Sequence, residues 1–241
     1  MAEGGRRLAH VLEVLSSEVE IGMTTKMLDE IAFKLIEQAD AKPAFLGYKP
    51  YGTAKAYPFT LCASVNNVVV HGLPSEYEIK NGDLIKLDLG LKYMGFYLDS
   101  AVTVGVGNIT KEVGKLINVT RESLYTGIAE AYAGKTVGDI GFAVQKLVEK
   151  NKFSVVRSLT GHGIGRNLHE DPQVLNFGKK GSGEELEIGM VVAIEPMVNA
   201  GAGRTEQLND DSFITADGSL SAHFEHTVAI TNDGPMILTE I

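Results

Sequence analysis

The chain has 241 residues, of which 44% are hydrophobic and 22% charged, and its formal net charge is −9 at pH 7. This acidic balance disfavours nonspecific binding to nucleic acid or to anionic lipid. Cys62 is the sole cysteine, which excludes an intramolecular disulfide framework and favours a reducing compartment. Since no apolar run approaches the roughly 18 residues of a membrane span, we expect a cytoplasmic protein without a membrane or nucleic-acid partner.

Hydrophobic residues at helical spacing predict four amphipathic helices in two pairs. The first pair opens the chain, and Thr24 or Thr25 can cap its second helix. The second pair begins after Asn108 or Thr110. Strand-like sequence follows each pair, so the chain order is helices, strands, helices, strands. This order predicts an α+β fold in one catalytic domain over residues 1–241.

The strand-like stretches are rich in β-branched residues. Before the first of them, residues 41–60 are rich in Pro, Gly and Tyr and predict a long loop. In the second stretch we place a hairpin turn between Tyr93 and Met94. The strand-like stretches are residues 61–72, 83–106, 154–159, 190–198 and 212–231.

Four carboxylates lie in the interior of the strand-like segments, away from their ends and turns, where an unpaired charge is costly. Asp88 and Asp99 are equally far from the predicted turn, so we expect them to face each other across the hairpin, unless both are exposed strand charges. Glu195 and Glu225 each interrupt an apolar run. Together with the glycine-flanked His162, the acids form an oxygen-rich set that suits two divalent cations such as Mn, Fe, Co or catalytic Zn.

The glycine-rich segment 160–172 contains His162 and His169 and matches no phosphate-binding or zincin motif. It lacks the G-K-[ST] ending of a P-loop, the G-x-G-x-x-G spacing and an H-E-x-x-H helix. A G-x-S-x-G nucleophile elbow is also absent from the sequence. A thiol–imidazole pair of Cys62 and His71 is the remaining hydrolase alternative, although a lone cysteine in a β-branched run is more often a buried hydrophobe.

Five separated motifs together resemble the type 1 methionine aminopeptidase family, in the family's order and over nearly the whole chain. They are SVNNVVVHGLP, KLDLGLKYMGFYLDSA, GHGIGRNLHEDP, VVAIEPMVNAG and AHFEHTV. The resemblance implies the pita-bread fold, in which two pseudo-symmetric α/β halves with a central antiparallel sheet surround a dinuclear metal site. It implies removal of the initiator methionine from nascent polypeptides with a small second residue, by a monomer in transient contact with the ribosome.

Residue by residue, the resemblance implies the ligands of two divalent ions, which would be Co, Mn, Fe or Zn. Asp88 would bind one metal, and His162 with Glu195 would bind the other. Asp99 and Glu225 would bridge both. The acids and His162 singled out by their positions in the sequence are therefore also the ligands that the resemblance implies.

The resemblance also implies catalytic groups outside the metal shell. His71 and His169 would lie near the scissile amide and its carbonyl oxygen without binding metal, and Glu195 would shuttle the proton. We place the methionine pocket on Phe45, Tyr48, Tyr51, Cys62 and His71.

The chain departs from the family pattern at several places. Leu168 stands where an aromatic residue is common, Arg204 lies near a usual tryptophan, and the 49–60 loop is long. We expect all three to reshape the methionine pocket. The opening residues resemble an internal family segment, so we also expect a slightly truncated N-terminus.

Two alternatives share the fold: a proline-specific aminopeptidase and a non-catalytic peptide-binding relative. Proline-specific enzymes usually carry a large extra N-terminal domain, and binding relatives lose metal ligands, whereas all five ligand positions are filled here. Type 2 enzymes carry an insertion between the last two glutamates. Glu195 and Glu225 are only 30 residues apart, which favours type 1.

Overall fold

The computed structural model describes residues 1–49 and 55–240, and Tyr51 of the predicted pocket lies outside them. Four helices within this part of the chain confirm the predicted pairs. Thr24, rather than its neighbour, caps the second helix by accepting a hydrogen bond from a backbone N–H of the first turn. Thr110 caps the third helix in the same way. The helices are α1 (Ala2–Ser17), α2 (Thr25–Gln38), α3 (Lys111–Ile128) and α4 (Val137–Lys150).

Strands of the first half of the chain are β1 (Lys42–Pro43), β2 (Leu61–Val65), β3 (Val68–Val70), β4 (Leu84–Tyr93) and β5 (Phe96–Gly105). Those of the second half are β6 (Ser154–Val155), β7 (Gly161–Gly163), β8 (Glu170–Val174), β9 (Val191–Ile194), β10 (Met197–Asn199), β11 (Thr205–Gln207), β12 (Phe213–Thr215), β13 (Ser221–His223), β14 (Glu225–Thr231) and β15 (Gly234–Ile237).

One nine-stranded sheet dominates the fold. Its order is β1-β4-β5-β14-β9-β7-β8, with β2 beside β4 and β15 beside β14. Two three-stranded sheets, β13-β10-β6 and β11-β12-β3, complete the strand pairing among the described residues. All of these pairings are antiparallel. The predicted α+β class with a central antiparallel sheet is therefore confirmed.

The two halves of the chain meet where β5 pairs with β14. At this seam Glu225 pairs with Ala101, and His226 pairs with Ser100. Helices α1 and α2 pack on the strands of the first half, and α3 and α4 pack on those of the second half. None of the helices in residues 1–49 and 55–240 is long and apolar enough to cross a membrane.

The hairpin between β4 and β5 turns at Met94 and Gly95. Both residues have positive φ, 47° and 87°, which is typical of the tight turns that join antiparallel strands. Tyr93 pairs with Phe96 across the turn, so the turn lies one residue later than predicted. Positive φ at two successive residues matches the right-handed twist of the strands, and the glycine adopts it without a steric cost.

This shift changes the register of the two aspartates. Asp88 pairs with Ala101, and Asp99 pairs with Gly90, so the prediction that the aspartates are directly opposite is wrong. Side chains alternate with a period of two along a strand, so a two-residue offset leaves both carboxylates on the same face as diagonal neighbours. Gly90, across from Asp99, leaves room for Phe45, whose ring would lie 2.8 Å from a Cβ at that position.

Alternation along β4 separates the hydrophobic core from the site. Ile85, Leu87 and Leu89 are fully buried and pack with α1 and α2 in one core cluster. Lys86 and Asp88 lie between them in sequence and therefore face the opposite side of the sheet. The apolar face of the strand anchors it to the helices, which leaves the other face to carry polar groups.

Candidate active site and metal centre

Five strands or strand ends bring the predicted ligands to one cavity of about 690 Å³. Asp88 lies on β4, Asp99 on β5, His162 on β7 and Glu225 on β14, while Glu195 directly follows β9. All five line the cavity. These strands are neighbours in the nine-stranded sheet, so residues up to 137 positions apart in the sequence converge on one surface.

The closest group is formed by Asp99, His162 and Glu225, whose candidate ligand atoms all lie within 4.8 Å of one another. Glu195 extends this group, because its Oε1 lies 3.6 Å from Nε2 of His162. Asp88 completes the group, because it lines the same cavity and is the diagonal neighbour of Asp99. Burial, and then the charge of Asp99, raise the pKa of Asp88 well above its usual value. The structure thus assembles all five predicted ligands.

His162 presents an unprotonated nitrogen to the carboxylates. Its Nδ1 lies 2.8 Å from the carbonyl oxygen of Gly163, and a carbonyl oxygen can only accept, so Nδ1 carries the proton. Nε2 then carries no proton, and its lone pair is directed at the carboxylates. This tautomer is the one that a metal-ligating histidine needs, with its other nitrogen fixed by a hydrogen bond.

Buried oxygens without partners show that a cation fits the site. Asp88 Oδ1, Asp99 Oδ1 and Glu225 Oε1 find no hydrogen-bond partner among the described residues. Their residues are only 8%, 4% and 2% exposed. Buried polar atoms are nearly always satisfied in proteins, so three orphaned carboxylate oxygens facing one another indicate positions that positive ions fill.

The pKa values of the acids agree with this interpretation. Burial raises the pKa of Asp99 to about 7. Burial and the neighbouring acids also raise the pKa of Glu195 and of Glu225 well above the usual value. The metal-free site therefore disfavours four simultaneous negative charges, and two divalent ions would neutralise them.

Thr227 holds the two central strands in register, although sequence reasoning did not single it out. Its Oγ1 accepts a hydrogen bond of 3.0 Å from the backbone N–H of Asp99 and donates one of 2.7 Å to the Asp99 carbonyl oxygen. Ser100 adds a hydrogen bond of 2.7 Å from its hydroxyl to the carbonyl oxygen of Glu225. The available signal was a polar residue two positions after Glu225, on the same face of a strand.

The glycines of the segment around His162 serve close backbone packing. A Cβ at Gly161 would lie 2.3 Å from the carbonyl oxygen of Ala193, and one at Gly163 would lie 2.1 Å from that of Asp171. Both distances are far below van der Waals contact. Glycine at these positions lets β7 approach its neighbours, which sets the position of His162.

His169 lies beside the ligand group but is held by a different partner. Its ring centroid is 4.3 Å from that of His162, and its Nδ1 lies 2.6 Å from the hydroxyl of Tyr48. Burial, and then the neighbouring His162 and His71, lower the pKa of His169 to about 3. The imidazole is neutral and its Nδ1 is engaged by Tyr48, so Nε2 is the nitrogen that remains available to a ligand in the cavity.

His71 lines the cavity directly after β3, in a strained conformation with φ of 58°. Its ring lies 5.8 Å from that of Phe213 in an edge-on arrangement. The surrounding walls desolvate the ring and lower its pKa. A non-glycine residue with positive φ is uncommon and concentrates at functional sites, where the fold holds it in place.

The apolar wall of the cavity contains Phe45, Tyr48, Cys62 and Leu168, which pack in one cluster. Sequence reasoning missed Tyr57, which belongs to the same cluster and stacks edge-on against Phe45 at 6.5 Å. The Tyr57 hydroxyl shares its proton between two backbone carbonyl oxygens, that of Leu61 on β2 at 2.9 Å and that of Gly72 after β3 at 3.2 Å. Its signal was the aromatic–proline pair that closes the 49–60 loop.

Two further expectations about the wall have different outcomes. Leu168 is 2% exposed and lines the cavity, so it is placed to shape the pocket. Arg204 extends into solvent with a side chain that is 79% exposed, and it does not line the cavity as far as residues 1–49 and 55–240 describe it. Arg204 directly precedes β11, whose last residue, Gln207, does line the cavity.

Cys62 belongs to the wall and is not a nucleophile. Burial, and then the nearby Asp88 charge, raise the pKa of its thiol well above the usual value. Nucleophilic cysteines need the opposite shift, toward the thiolate. The thiol–imidazole alternative with His71 is therefore not favoured, because burial, and then the nearby Asp88 charge, keep the thiol of Cys62 neutral.

Comparison with known proteins decides the family. A family model described as metallopeptidase family M24 matches residues 1–232. The chain belongs to this family. Relatives named methionine aminopeptidase are 50% identical in Clostridium perfringens and 45% identical in Bacillus subtilis, and each match covers 100% of this chain and 95% of the relative.

Solved structures of M24 enzymes agree. The methionine aminopeptidase of Thermotoga maritima superposes with a TM-score of 0.94 at 40% identity, covering 100% of this chain and 95% of the other. The prolidase of Pyrococcus furiosus reaches a TM-score of 0.75 at 20% identity, covering 100% of this chain and 62% of the other. The latter shares the fold alone. The predicted resemblance to methionine aminopeptidases and the predicted pita-bread fold are confirmed, and the proline-specific alternative is not favoured.

Proposed function

We propose that this M24 member removes the N-terminal methionine from polypeptides whose second residue is small, with residues 1–241 acting as a single catalytic domain. Three buried carboxylates, the mostly buried Glu195 and an unprotonated His162 nitrogen converge on a cavity with an apolar wall, and this convergence carries the proposal. Its substrates are nascent chains in the cytoplasm, met by a monomer in transient contact with the ribosome. The lone, buried Cys62 is consistent with a reducing compartment.

The cofactor is a pair of divalent ions drawn from Co, Mn, Fe and Zn. Asp88 would hold one ion, His162 with Glu195 the other, and Asp99 and Glu225 would lie between them. The four acids supply four negative charges, which two divalent ions balance. When bound, such ions polarise the substrate carbonyl and lower the pKa of a water toward neutrality.

Glu195 is the group that moves the proton. Its carboxylate lies at the ligand group and has a raised pKa, which suits a base that must accept a proton near neutral pH. It takes the proton from the attacking water and passes it to the departing amine. Its backbone is fixed by Asn176, whose side-chain amide donates a 2.9 Å hydrogen bond to the Glu195 carbonyl oxygen.

His169 stabilises the negative charge that develops on the carbonyl oxygen. The Tyr48 hydroxyl donates to Nδ1, so the proton of the neutral ring sits on Nε2 and can be donated to that oxygen. His71, on another side of the cavity, donates toward the scissile amide. Neither ring needs to change its charge to act as a donor.

The apolar wall recognises the methionine side chain. Aromatic rings and a neutral thiol offer a soft, polarisable surface to a flexible thioether, and sulfur–aromatic contacts are favourable. Phe45, Tyr57 and Leu168 provide most of this surface in the described part of the wall.

Peptide cleavage with metal titration tests the proposal. We expect release of methionine from Met-Ala and Met-Gly peptides in the presence of Mn²⁺ or Co²⁺, loss of activity with a chelator, and no cleavage of Met-Lys or N-acetylated Met-Ala peptides. Efficient release of alanine from Ala-Pro peptides would instead assign a proline-specific activity. Metal binding without any cleavage would indicate a peptide-binding relative.

A further inference from the structure

His223 is a buried imidazole at the site for which the proposed mechanism has no role. It is 1% exposed, and both of its ring nitrogens lack hydrogen-bond partners within the part of the chain that the structure describes. Its backbone is tightly held at the end of β13, since its N–H donates to the Thr103 hydroxyl and its carbonyl accepts from it, at 2.9 and 2.6 Å. A fixed, buried and unsatisfied imidazole is costly, which points to a partner that it gains in the working protein.

The carboxylate of Glu195 is an acceptor close to this imidazole. Nε2 of His223 lies 3.8 Å from Oε2 of Glu195, while Oε1 of the same carboxylate lies 3.6 Å from Nε2 of His162. The carboxylate therefore lies between two imidazoles, with one oxygen toward each. The two contacts differ in kind, because Nε2 of His162 is unprotonated and cannot donate.

This difference assigns the two oxygens. Oε1 of Glu195 and the unprotonated Nε2 of His162 both carry lone pairs, so they attract each other only through a cation between them. Oε1 is therefore on the metal side. Oε2 remains free to accept a hydrogen bond, and His223 is the imidazole directed at it. A shift of under about 1 Å would bring the pair to ordinary hydrogen-bond distance.

We propose that His223 is a positioning residue for Glu195: its Nε2–H donates to Oε2 and so holds Oε1 toward the metal site. This inference rests on the proposed role of Glu195 as ligand and proton shuttle. Hydrogen bonds to metal-ligating carboxylates orient them, and their loss typically weakens metal binding or activity about 10- to 100-fold. Asn176 fixes the Glu195 backbone, and His223 would fix the carboxylate.

Two substitutions separate hydrogen bonding from packing. His223→Leu replaces the imidazole with an apolar side chain of comparable size that has no hydrogen-bond donor. His223→Gln retains a hydrogen-bond donor in its side-chain amide. His10→Leu is the matched control, since His10 lies on α1 with a side chain that is 70% exposed. Zinc affinity is measured by calorimetry, kcat and KM are measured with a Met-Ala peptide, and unfolding of the metal-free proteins is monitored by heating.

We expect His223→Leu to lose about 10- to 100-fold in zinc affinity or kcat with little change in KM. His223→Gln should recover most of the loss, and His10→Leu should match the wild type. Equal zinc affinity and kcat in His223→Leu and the wild type would overturn the proposal, as would a glutamine variant no better than the leucine variant while the metal-free proteins unfold at the same temperature.

Imidazole ¹⁵N NMR of the wild type keeps the proposal testable if the leucine variant does not fold. We expect the zinc-loaded protein to show His223 protonated at Nε2, with that proton in a hydrogen bond. An unprotonated Nε2 that shifts on zinc addition would make His223 a ligand and overturn the positioning role. A wild type that binds no zinc and releases no methionine would overturn the proposed function itself, whereas failure of the His223 comparisons alone leaves that function standing.

Discussion

The hydroxyl of Tyr48 lies 2.6 Å from Nδ1 of His169, which joins the apolar wall of the cavity to its histidine cluster. This contact is the only hydrogen bond that Tyr48 makes through its hydroxyl within the described residues, and a phenol donates more readily than it accepts. One side chain thus both lines the pocket and sets which nitrogen of His169 carries the proton. In the proposed function, this pair would link recognition of the substrate to activation of its carbonyl.

Tyr48→Phe should lower kcat while leaving metal binding intact. The ring still packs in the wall, but the proton of His169 is no longer directed to Nε2. Loss of one hydrogen bond of about 0.5–1.5 kcal/mol corresponds to a decrease of roughly 2- to 10-fold. Steady-state kinetics with a Met-Ala peptide and calorimetry with zinc provide the check. An unchanged kcat would show that Tyr48 does not orient His169.

His169→Ala should separate catalysis from metal binding. Removing a donor to a developing oxyanion typically costs about 2.7–4 kcal/mol, or roughly 10²–10³ in kcat. Zinc stoichiometry and affinity should stay near those of the wild type. His162→Ala is the matched comparison, because it removes a ligand nitrogen and should weaken zinc binding directly. Equal metal loss in the two variants would make His169 a ligand.

Asp99→Asn should abolish activity through metal loss. One negative charge fewer leaves two cations under-neutralised, and an amide bridges two ions poorly. Calorimetry should show fewer or weaker zinc sites, while circular dichroism should show that the metal-free variant is folded. Full activity with normal metal binding would remove Asp99 from the proposed ligand set.

The stability of the metal-free protein should fall as the pH rises through about 7. Burial raises the pKa of Asp99 from its usual 3.8 to about 7 in the folded state. A group with a raised folded pKa contributes stability that is complete below its unfolded pKa and is lost as the pH rises through the folded value. Above about pH 7.5 the histidines are mostly neutral in both states and Asp99 is mostly ionised in both. The fall between about pH 7.5 and 8.5 therefore comes from Asp88, Glu195 and Glu225, since burial raises the pKa of each well above its usual value.

Thermal unfolding in the presence of a chelator measures this dependence. The Tm of the wild type should be lower at the upper end of that pH window. Asp99→Asn should show a flatter profile, because the neighbouring acids lose the charge that helps to raise their pKa. Saturating zinc should also flatten the wild-type profile, since the ions stabilise the charged carboxylates. A rise in the Tm of the metal-free wild type across the window would contradict the raised pKa values.

Local sequence patterns were sufficient for the helices, and they singled out the acids and His162 that the structure brings to one cavity. The spacing of Leu8, Leu12 and Leu15 defines a helical face, and the structure buries it. A glutamate such as Glu225 within an apolar run stands out because burying a charge is costly unless the charge is paired or binds a cation. Both signals depend on neighbours in sequence, so they can be interpreted before the fold is known.

Tertiary structure alone decided how these groups meet. The turn at Met94 and Gly95 moved the register and made Asp88 and Asp99 diagonal neighbours, because a strand's pairing depends on the turn geometry and not on its composition. His223 and Glu195 are 28 residues apart in sequence. Only the antiparallel pairing of β10 with β13 places them side by side. Hydrogen bonds between distant side chains need both position and orientation, and the packed sheet supplies these, whereas residue spacing along the chain does not.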